Sequence, residues 1–427
     1  MSQQRSEGKD PRHPTGPKSS KNLEVSADNL TIPVRAPVSL NDSPVEETIT
    51  DTFDRRTWEV TEAALAAHAT LLIEGADPVG LMIVGPSGSG KTTAVRLFED
   101  ATATYRTDKV TPAAFVSHDA SLTEEELAEV DLLPRVRHKT LVCRDMASWF
   151  AGPRDKIRES MATVASVMDG DGLVRSTGAH GERGYSGDFR FNFVGATTPL
   201  NHRAWEIMGH TGNRFLFHEL PGNKSKSEVA ADVFSKDEYH EKVRKCREVM
   251  SEFINDLWDA YEGYAGFDWE DVPPVPIQRT VTDFGELVAH ARAPVDSGEP
   301  IIEGRHRVVA SLRNFARGRA LLDGRVSISE SDLPVVARVA LSTMPRKRRG
   351  LIRALVNPSL PDTLSTTDVT ALLDVSEETA HSRMKLADTL GLGTYREGSG
   401  PNPHRITLAD EFRWPENVPF PESFEKS

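Results

Sequence analysis

The sequence predicts an α/β fold in which a parallel-sheet core is followed by helical segments and a small terminal domain. Three observations lead to this fold class. A short apolar strand, residues 81–84, runs directly into the pattern G-x-x-x-x-G-K-T at residues 85–92 and then into a helix. Apolar strands alternate with amphipathic helices from Thr57 to Pro221, which is the pattern of a parallel sheet. Past Pro221 the chain becomes mainly helical.

Length and composition describe a globular protein with several domains. The 427 residues are 38% hydrophobic and 27% charged, enough for two or three domains with cores of their own. We find neither an apolar run that could span a bilayer nor an apolar N-terminal signal segment, so we expect a cytoplasmic protein with no membrane partner. The two cysteines, Cys143 and Cys246, exclude a disulfide framework. With a net charge of -13, any contact with nucleic acid must use a local basic surface.

The glycine-rich loop after the first strand is typical of a nucleotide-phosphate site. Its glycines let backbone N–H groups point at phosphate oxygens, Lys91 reaches the β- and γ-phosphates, and the Thr92 hydroxyl can bind Mg²⁺. A glycine-rich turn without a ligand is the alternative, but the strand before it and the helix after it favour phosphate binding. We therefore expect ATP and Mg²⁺ to be held by Gly85, Pro86, Ser87, Gly88, Ser89, Gly90, Lys91, Thr92 and Thr93.

The chain divides by composition into four segments. Residues 1–45 are rich in Ser, Pro and Lys and predict a disordered tail, and residues 46–222 predict the nucleotide-binding core. Residues 223–345 predict a helical linker and lid, and residues 346–427 a small terminal domain. Within the core we expect strands at 113–119, 138–145 and 189–199, and a helix over 121–133 that begins at a Ser or Thr cap.

A carboxylate at a strand end is needed to orient the Mg²⁺-bound water in a site of this kind. Asp145 is the first choice, because the strand–helix–strand order places it on a strand expected beside the strand of the glycine-rich loop. Asp119, at the end of the strand expected at 113–119, is the competitor.

Further segments resemble the AAA+ ATPases, in particular the branch of minichromosome-maintenance and MoxR-type ATPases. The resemblance implies a homo-oligomer with an intersubunit site: Thr198 as the sensor-1 residue, Arg214 as a finger for a neighbouring subunit, and Arg307 as the sensor-2 residue of the lid. Arg305 is the reserve, because His306 stands where the family has a proline. Ordinary surface pairs for both arginines, and a strand threonine at 198, are the alternatives. The matching segments are RESMATVASVMDGDGLVRSTG, FNFVGATTPL, GNRFLFHEL and EGRHRVVASLRNFARGRALLDGRVSISESDL.

The residue after Asp145 departs from the family. Most members have a glutamate there that polarises the attacking water, whereas this chain has Met146, which has no basic atom for that role. Three interpretations stay open: slow hydrolysis, another carboxylate such as Asp119 or Asp169 as the base, or an ATP state that acts as a switch.

The terminal segment resembles a winged helix-turn-helix domain. Helices are predicted at 366–373 and 377–390, with a turn between them and two short strands after them. The candidates for contact with DNA are Arg383, Lys385, Arg396 and Arg405. The basic run at 346–349 is either a further DNA-binding surface or a solvated linker. Winged helices also bind proteins, so a protein partner is the alternative to DNA.

The function that follows as an expectation is an AAA+ ATPase that couples ATP binding and hydrolysis to action on DNA, as a replication initiator, a helicase-like motor or a mobile-element protein. The alternative is an ATP-controlled switch that binds DNA or a protein partner through its winged helix and hydrolyses slowly. A transporter ATPase subunit or a GTPase is disfavoured, because the chain has no LSGGQ-like signature and no NKxD box. A small-molecule kinase would not need the long helical region and the winged helix after the core.

Overall fold

The structure is a computed structural model that describes residues 38–117, 122–177, 181–221, 226–234, 238–399 and 402–421. Its centre is a five-stranded sheet in which every neighbouring pair is parallel, in the order β2-β3-β6-β1-β7. The predicted α/β fold around a parallel sheet is therefore confirmed. The strands are β1 (Gly80–Val84), β2 (Thr104–Thr107), β3 (Thr140–Cys143), β6 (Asn192–Thr197) and β7 (Phe215–Glu219), while β4 (Gly172–Thr177) and β5 (Gly181–Ser186) form a separate hairpin.

Strand β1 lies inside the sheet and is buried on both faces. Its side chains alternate between two hydrophobic clusters, with Leu81 and Ile83 in one and Met82 and Val84 in the other. A strand buried on both sides has a continuous apolar run as its sequence pattern, and this is how β1 was predicted. Its carboxyl end carries the glycine-rich loop.

The strand order corrects one expectation. Strand β3, which precedes Asp145, does not lie beside β1, because β6 pairs in parallel with both of them and separates them. Order along the chain does not determine order in a sheet, since each crossover can pass over a neighbouring position.

The segment expected as a strand at 113–119 is a second correction. Residues Pro112–Ala114 form a 3-10 turn, the chain to residue 117 is irregular, and residues 118–121 lie outside the described residues. Phe115 and Val116 are buried, so the apolar pattern marks core contacts rather than a strand. The edge strand is instead β2, which is half-exposed and carries no apolar run. The helix expected over 121–133 is two short helices, and Thr123 caps the first with Glu126 in a capping box.

Helices cover the two faces of the sheet. Asp54 is the N-cap of helix α2 (Arg55–Ala69), and its side chain accepts a hydrogen bond from the Thr57 N–H; α2 packs directly on α11 (Arg305–Leu322) at Gly318. The helices before residue 221 are α1 (Val45–Thr52), α2 (Arg55–Ala69), α3 (Lys91–Arg96), α4 (Glu124–Val130), α5 (Leu132–Val136), α6 (Arg154–Val167) and α7 (His202–Thr211). The next are α8 (Lys226–Val233), α9 (Tyr239–Ala260), α10 (Val275–Arg292), α11 (Arg305–Leu322) and α12 (Leu333–Ser342), with a two-residue hairpin pair, β8 (Val295–Asp296) and β9 (Glu299–Pro300), between α10 and α11.

The terminal segment has the predicted elements at the predicted positions. The two predicted helices are α14 (Thr366–Leu373) and α15 (Glu377–Thr389), capped by Ser365 and Ser376. Ala380, Met384 and Ala387 are buried and form the inward face of α15. The remaining elements are α13 (Arg346–Val356), β10 (Thr363–Ser365), β11 (Gly393–Arg396) and β12 (Arg405–Leu408), and the strands form one antiparallel sheet in the order β10-β12-β11.

The described residues belong to one compact unit, and the domain boundaries near 222 and 345 stay predictions. Most of the predicted tail lies outside the described residues; at its end, Leu40–Asp42 form a 3-10 turn in which Leu40 is buried. Cys143 and Cys246 are both buried and free. Among the described helices, none has the length and apolar character needed to cross a membrane.

Candidate nucleotide-binding site

The glycine-rich loop links β1 to α3 at the carboxyl edge of the sheet. Gly88 and Gly90 have φ angles of +81° and +92°, in the left-handed region that glycine adopts without strain. Gly85 is tightly enclosed, because a Cβ atom there would lie 2.7 Å from the Leu220 carbonyl oxygen. The loop conformation therefore depends on glycine at all three positions, as the sequence predicted.

The polar groups of the loop fit a phosphate ligand. The Lys91 Nζ donates to the Pro86 carbonyl oxygen at 3.0 Å, across the mouth of the loop. Burial lowers the pKa of Lys91, and the charge of Asp145 opposes this shift. The Ser89 hydroxyl is buried and has no hydrogen-bond partner among the described residues. An ammonium and an unpaired hydroxyl in a loop of this conformation provide donors for phosphate oxygens.

Asp145 lies just beyond β3, on the same edge of the sheet. Its carboxylate is exposed and accepts one hydrogen bond, from the Ala147 N–H at 2.9 Å. Its charge acts on Lys91, so the sheet brings together the predicted metal carboxylate and the predicted phosphate lysine although β6 lies between their strands. Asp119, the competitor, lies outside the described residues.

Met146 points in the opposite direction. Its side chain is fully buried and packs against Gly195, and its N–H donates to the Ala196 carbonyl at 2.8 Å. The residue that occupies the family's glutamate position is thus part of the hydrophobic core beneath the sheet edge.

Thr198 immediately follows β6, between the ends of β1 and β3. It is exposed, and its carbonyl oxygen accepts a hydrogen bond from the Thr197 hydroxyl at 3.2 Å. The Gly85 N–H donates to the Thr197 carbonyl at 3.2 Å. The end of β6 therefore joins the loop to the Asp145 strand, and Thr198 lies between the ends of β1 and β3.

Arg214 and Arg307 come together although they are far apart in sequence. A Cβ atom on Gly212 would lie 2.9 Å from Arg307 Nη1 and 3.5 Å from Arg214 Nη1, so both guanidinium groups pack on this glycine. Arg214 is only 14% exposed and forms an ion pair with Asp169 at 2.7 Å. Burial lowers the pKa of Arg214, Asp169 opposes the shift, and the charge of Arg307 adds to it.

These contacts bear on both predicted roles. Arg214 is held within its own chain, and Asp169, one of the alternative bases, is engaged by it. Arg307 lies exposed in the first turn of α11. Its reserve, Arg305, is paired with Glu286 at 3.0 Å.

Residues at the carboxyl end of strand β7 contact both the glycine-rich loop and the terminal segment, and the sequence did not reveal this link. Leu220, which follows β7, contacts the loop at Gly85 and Gly90. The neighbouring Glu219 forms an ion pair with Arg349 of α13. Arg349 is buried and also donates to the Met344 carbonyl at 3.0 Å, and burial lowers its pKa to about 9.

The basic run at 346–349 fits neither interpretation made from the sequence. Arg348 donates to the Ala291 carbonyl at 2.9 Å and to the Ala293 carbonyl at 2.6 Å, which are the last acceptors of α10. Arg349 is the buried partner of Glu219. Half of the run is therefore structural, and only Arg346 and Lys347 are exposed. The sequence concealed this because buried and exposed arginines look alike in a charged run.

The four candidate DNA contacts lie in three places. Arg396 and Arg405 are exposed and form a cross-strand pair on one face of the β11–β12 hairpin. The Lys385 Nζ lies 5.7 Å from the ring centroid of Tyr395, whose side chain is on the opposite face of the hairpin, toward α15. Arg383 lies next to Gly350 of α13 and is half-buried.

A hydrogen-bond network of two histidines and a tyrosine lies where the β11–β12 hairpin meets α15. The Tyr395 hydroxyl lies 2.6 Å from both His381 Nε2 and His404 Nδ1, and the Gly398 N–H donates to His404 Nδ1 at 3.0 Å. With Glu397, these histidines have ligand-type atoms within 4.8 Å of one another. The two imidazoles are stacked at 4.3 Å with planes only 14° apart, so their in-plane lone pairs do not converge on one point. The arrangement is that of a hydrogen-bond network rather than a preformed metal site.

No protein-family model and no curated protein sequence matches the chain. Among solved structures, a full-length MCM homologue from Methanopyrus kandleri is similar, with 11% sequence identity and a TM-score of 0.39. The match covers 71% of this chain, which spans 60% of that protein. At this level of similarity the site has to be interpreted from the chain's own residues.

Proposed function

We propose that the protein is an AAA+-type ATPase that binds ATP and Mg²⁺ and couples the ATP cycle to action on DNA. The observation that carries the proposal is the glycine-rich loop at the carboxyl end of the inner strand β1, with its left-handed Gly88 and Gly90, and Asp145 just beyond β3 at the same edge of the sheet. A glycine-rich turn without a ligand does not need a lysine and a carboxylate at the same edge of the sheet.

Each residue has a distinct role in this proposal. The loop N–H groups and Lys91 bind phosphate oxygens, and Thr92 and Asp145 hold Mg²⁺, directly or through water. The metal, when bound, neutralises charge on the phosphates. Thr198 orients the terminal phosphate from the end of β6. The Lys91 ammonium is partly buried, and this partial burial strengthens its attraction to phosphate because the charges are less screened than in open water.

The test of the nucleotide site is ATP turnover by the purified chain with and without DNA. Lys91→Ala is expected to lower kcat/KM at least about a hundredfold, as removal of one charge-stabilising donor does in other enzymes. Lys156→Ala, which removes an exposed lysine of α6, is the matched control and is expected to keep wild-type turnover. Absence of ATP turnover and of ATP binding by the wild-type chain would refute the proposal.

The intersubunit role of Arg214 needs a separate test, because this arginine also has a partner in its own chain. If Arg214 acts as a finger for a neighbouring subunit, the Arg214→Ala variant should lose oligomer-dependent ATP turnover. Its ATP binding and its melting temperature should be unchanged. Asp169→Asn should then keep most of the turnover, since it frees the guanidinium group. If both variants lose stability and turnover together, the pair is structural. The control is Arg203→Ala, which removes an exposed arginine of α7, the helix that precedes Arg214.

The DNA contacts are proposed to be Lys385 of α15 and Arg396 and Arg405 of the β11–β12 hairpin, as part of a winged-helix domain. Replacing all three with alanine should weaken DNA binding and lower the slope of log affinity against log salt by about one for each phosphate that these side chains neutralise. Arg383→Ala, which removes the half-buried arginine next to α13, should leave that slope unchanged. An unchanged slope in the triple variant would place DNA binding elsewhere.

An ATP-controlled switch is the second candidate function, and the buried side chain of Met146 favours it. With a core methionine in place of a base, binding of ATP rather than its turnover would set the state of the protein. A switch predicts that a non-hydrolysable ATP analogue alone supports assembly and DNA binding. A motor requires continued turnover for its action on DNA.

A further inference from the structure

An arginine-lined cavity lies beside the nucleotide loop but is not part of it. Its volume is about 380 Å³. Arginines from four elements line it around a single inner glutamate: Arg96 at the end of α3, Arg106 on β2, Arg144 after β3, and Arg244 and Arg247 on α9, with Glu99 at the centre.

Glu99 holds these arginines in position. Its side chain is only 2% exposed, and it pairs with Arg144, with Arg247 at 3.0 Å and with Arg106 at 3.6 Å. One buried carboxylate thus orients three guanidinium groups toward the same space. Because it carries a single charge, the inner part of the cavity keeps an excess of positive charge.

The other acidic partners of these arginines are largely exposed to solvent. Asp100 and Asp108 pair with the same arginines but are 61% and 66% exposed. Glu241 and Glu248 pair with Arg244 and are 60% and 63% exposed. Exposed pairs of this kind contribute little to stability, so a stronger anionic ligand can replace them.

Arg96 is the least satisfied of the five. Among the described residues it has no carboxylate partner; its guanidinium lies 5.9 Å from the Tyr239 ring centroid. The Nε atoms of Arg96 and Arg247 are both buried and have no hydrogen-bond partner in the described part of the chain. These Nε atoms are closed off from solvent, so what Arg96 adds to the cavity lining is a positive charge that no carboxylate of the described residues pairs with.

We propose that this cavity binds phosphate groups, at a site distinct from the ATP loop. Guanidinium groups bind phosphate through paired N–H donors, and several can share its oxygens. The lining residues include one aliphatic side chain, Val243, and no aromatic side chain except His240, so the site recognises the anion rather than a base. The source of the phosphate is a free pyrophosphate-like anion or the backbone of a DNA strand.

The cavity is coupled to the ATP loop through two shared elements. Arg96 ends the same helix that Lys91 begins, and Arg144 directly precedes Asp145. The Tyr239 hydroxyl lies 2.9 Å from the Thr93 hydroxyl, which ties α9 to that helix as well. An anion held by these arginines is therefore bound by the same two segments that carry Lys91 and Asp145. Binding in the cavity itself does not depend on ATP turnover.

The experiment measures binding of inorganic pyrophosphate, and separately of a short oligothymidylate, by titration calorimetry without Mg²⁺. All chains carry Lys91→Ala to weaken the ATP loop. Adding R96Q and R247Q is expected to weaken binding of at least one probe by about tenfold or more, since two charge-assisted hydrogen bonds are removed. The matched control adds R55Q and R413Q, two exposed arginines with carboxylate partners, and should retain binding.

The outcomes separate the two sources and the overall proposal. Loss of pyrophosphate binding alone supports a small-anion site, and loss of oligothymidylate binding supports a DNA-backbone site. If R96Q/R247Q lowers the melting temperature, the test is made with R96K/R247K, which keeps both positive charges but removes the paired N–H donors of the guanidinium groups. This variant should also bind the probes more weakly than the parent chain does. Equal affinity of the cavity variants and the control for both probes would overturn the proposal, whether or not the wild-type chain hydrolyses ATP.

Discussion

His218 on β7 should make the folded protein sensitive to mild acid. Its side chain is buried, and neither ring nitrogen has a hydrogen-bond partner among the described residues. A void of about 10 Å³ lies against it, near Arg338. Burial, and secondarily the charge of Arg338, lowers the pKa of His218 from 6.5 to about 3. The folded chain therefore keeps this histidine neutral, whereas the unfolded chain protonates it near pH 6.5.

The sign and size of the effect follow from this difference. Because the folded-state pKa is lowered, the associated stability is complete above about pH 6.5 and is lost as the pH falls toward about 3. Between about pH 7 and about pH 5, proton uptake by the unfolded chain lowers the free energy of unfolding by about 2 kcal/mol for one such histidine. His218→Leu removes this contribution. Near neutral pH the variant should be as stable as the wild type or more so, since two unsatisfied nitrogens are gone.

The measurement is urea unfolding followed by tryptophan fluorescence at the two pH values. For each protein, the loss of unfolding free energy between the two pH values is determined, and the loss in the wild type is then compared with the loss in the variant. The contributions of carboxylates and other titrating groups are the same in both proteins and cancel in this comparison. His68→Leu is the comparison: burial lowers the pKa of His68 to about 3 as well, but its Nδ1 lies 2.7 Å from the Thr140 hydroxyl. That variant should show the same reduced acid sensitivity but lose stability near neutral pH. A His218→Leu protein with the full wild-type acid sensitivity would refute the reasoning.

Three further predictions concern buried positions. Met146→Glu should lower the melting temperature without raising ATP turnover, because the new carboxylate is buried in the core. Arg349→Met should destabilise the chain by about 3–5 kcal/mol in urea unfolding by leaving Glu219 uncompensated, and a Glu219→Leu second change should recover most of it. Gly318→Ala should lower the free energy of unfolding by about 1–3 kcal/mol, because its Cβ would lie 2.1 Å from the Ala66 carbonyl oxygen. An unfolding curve identical to that of the wild type would contradict the prediction for Arg349→Met or for Gly318→Ala, respectively.

The features that the sequence predicts well are those encoded locally. The glycine loop needs left-handed residues at fixed positions, and these are visible as Gly88 and Gly90. Helices α14 and α15 begin at serine caps and bury residues at helical spacing, so their bounds were predicted within one residue. Asp145 was predicted to follow an apolar strand, and β3 does end two residues before it. In each case the determining residues lie within a few positions of one another.

The features that the sequence does not predict are set by distant contacts. Phe115 and Val116 resemble part of a strand, yet they pack as an irregular segment, while β2 forms at an edge where burial leaves little apolar signal. Arg349 has the appearance of a solvated residue until Glu219, from β7, pairs with it. Glu99 likewise looks like a surface residue after α3, and only the arrival of α9 and the end of β3 makes it a buried centre of arginines. Sequence patterns report periodicity, not which charged groups will meet.

The position of β1 in the sheet also has a consequence for synthesis of the chain. Gly80 pairs with Phe193 on one side and with Phe215 on the other, so both neighbours of β1 are made more than about a hundred residues after it. At usual elongation rates this delay is on the order of ten seconds. During that time the glycine-rich loop is already outside the ribosome but has no sheet to hold it, and Leu220 is not yet present to pack on it. A nascent chain should therefore acquire affinity for ATP late and abruptly, after residue 220 has emerged, and until then β1 is an unpaired apolar strand that depends on protection from aggregation.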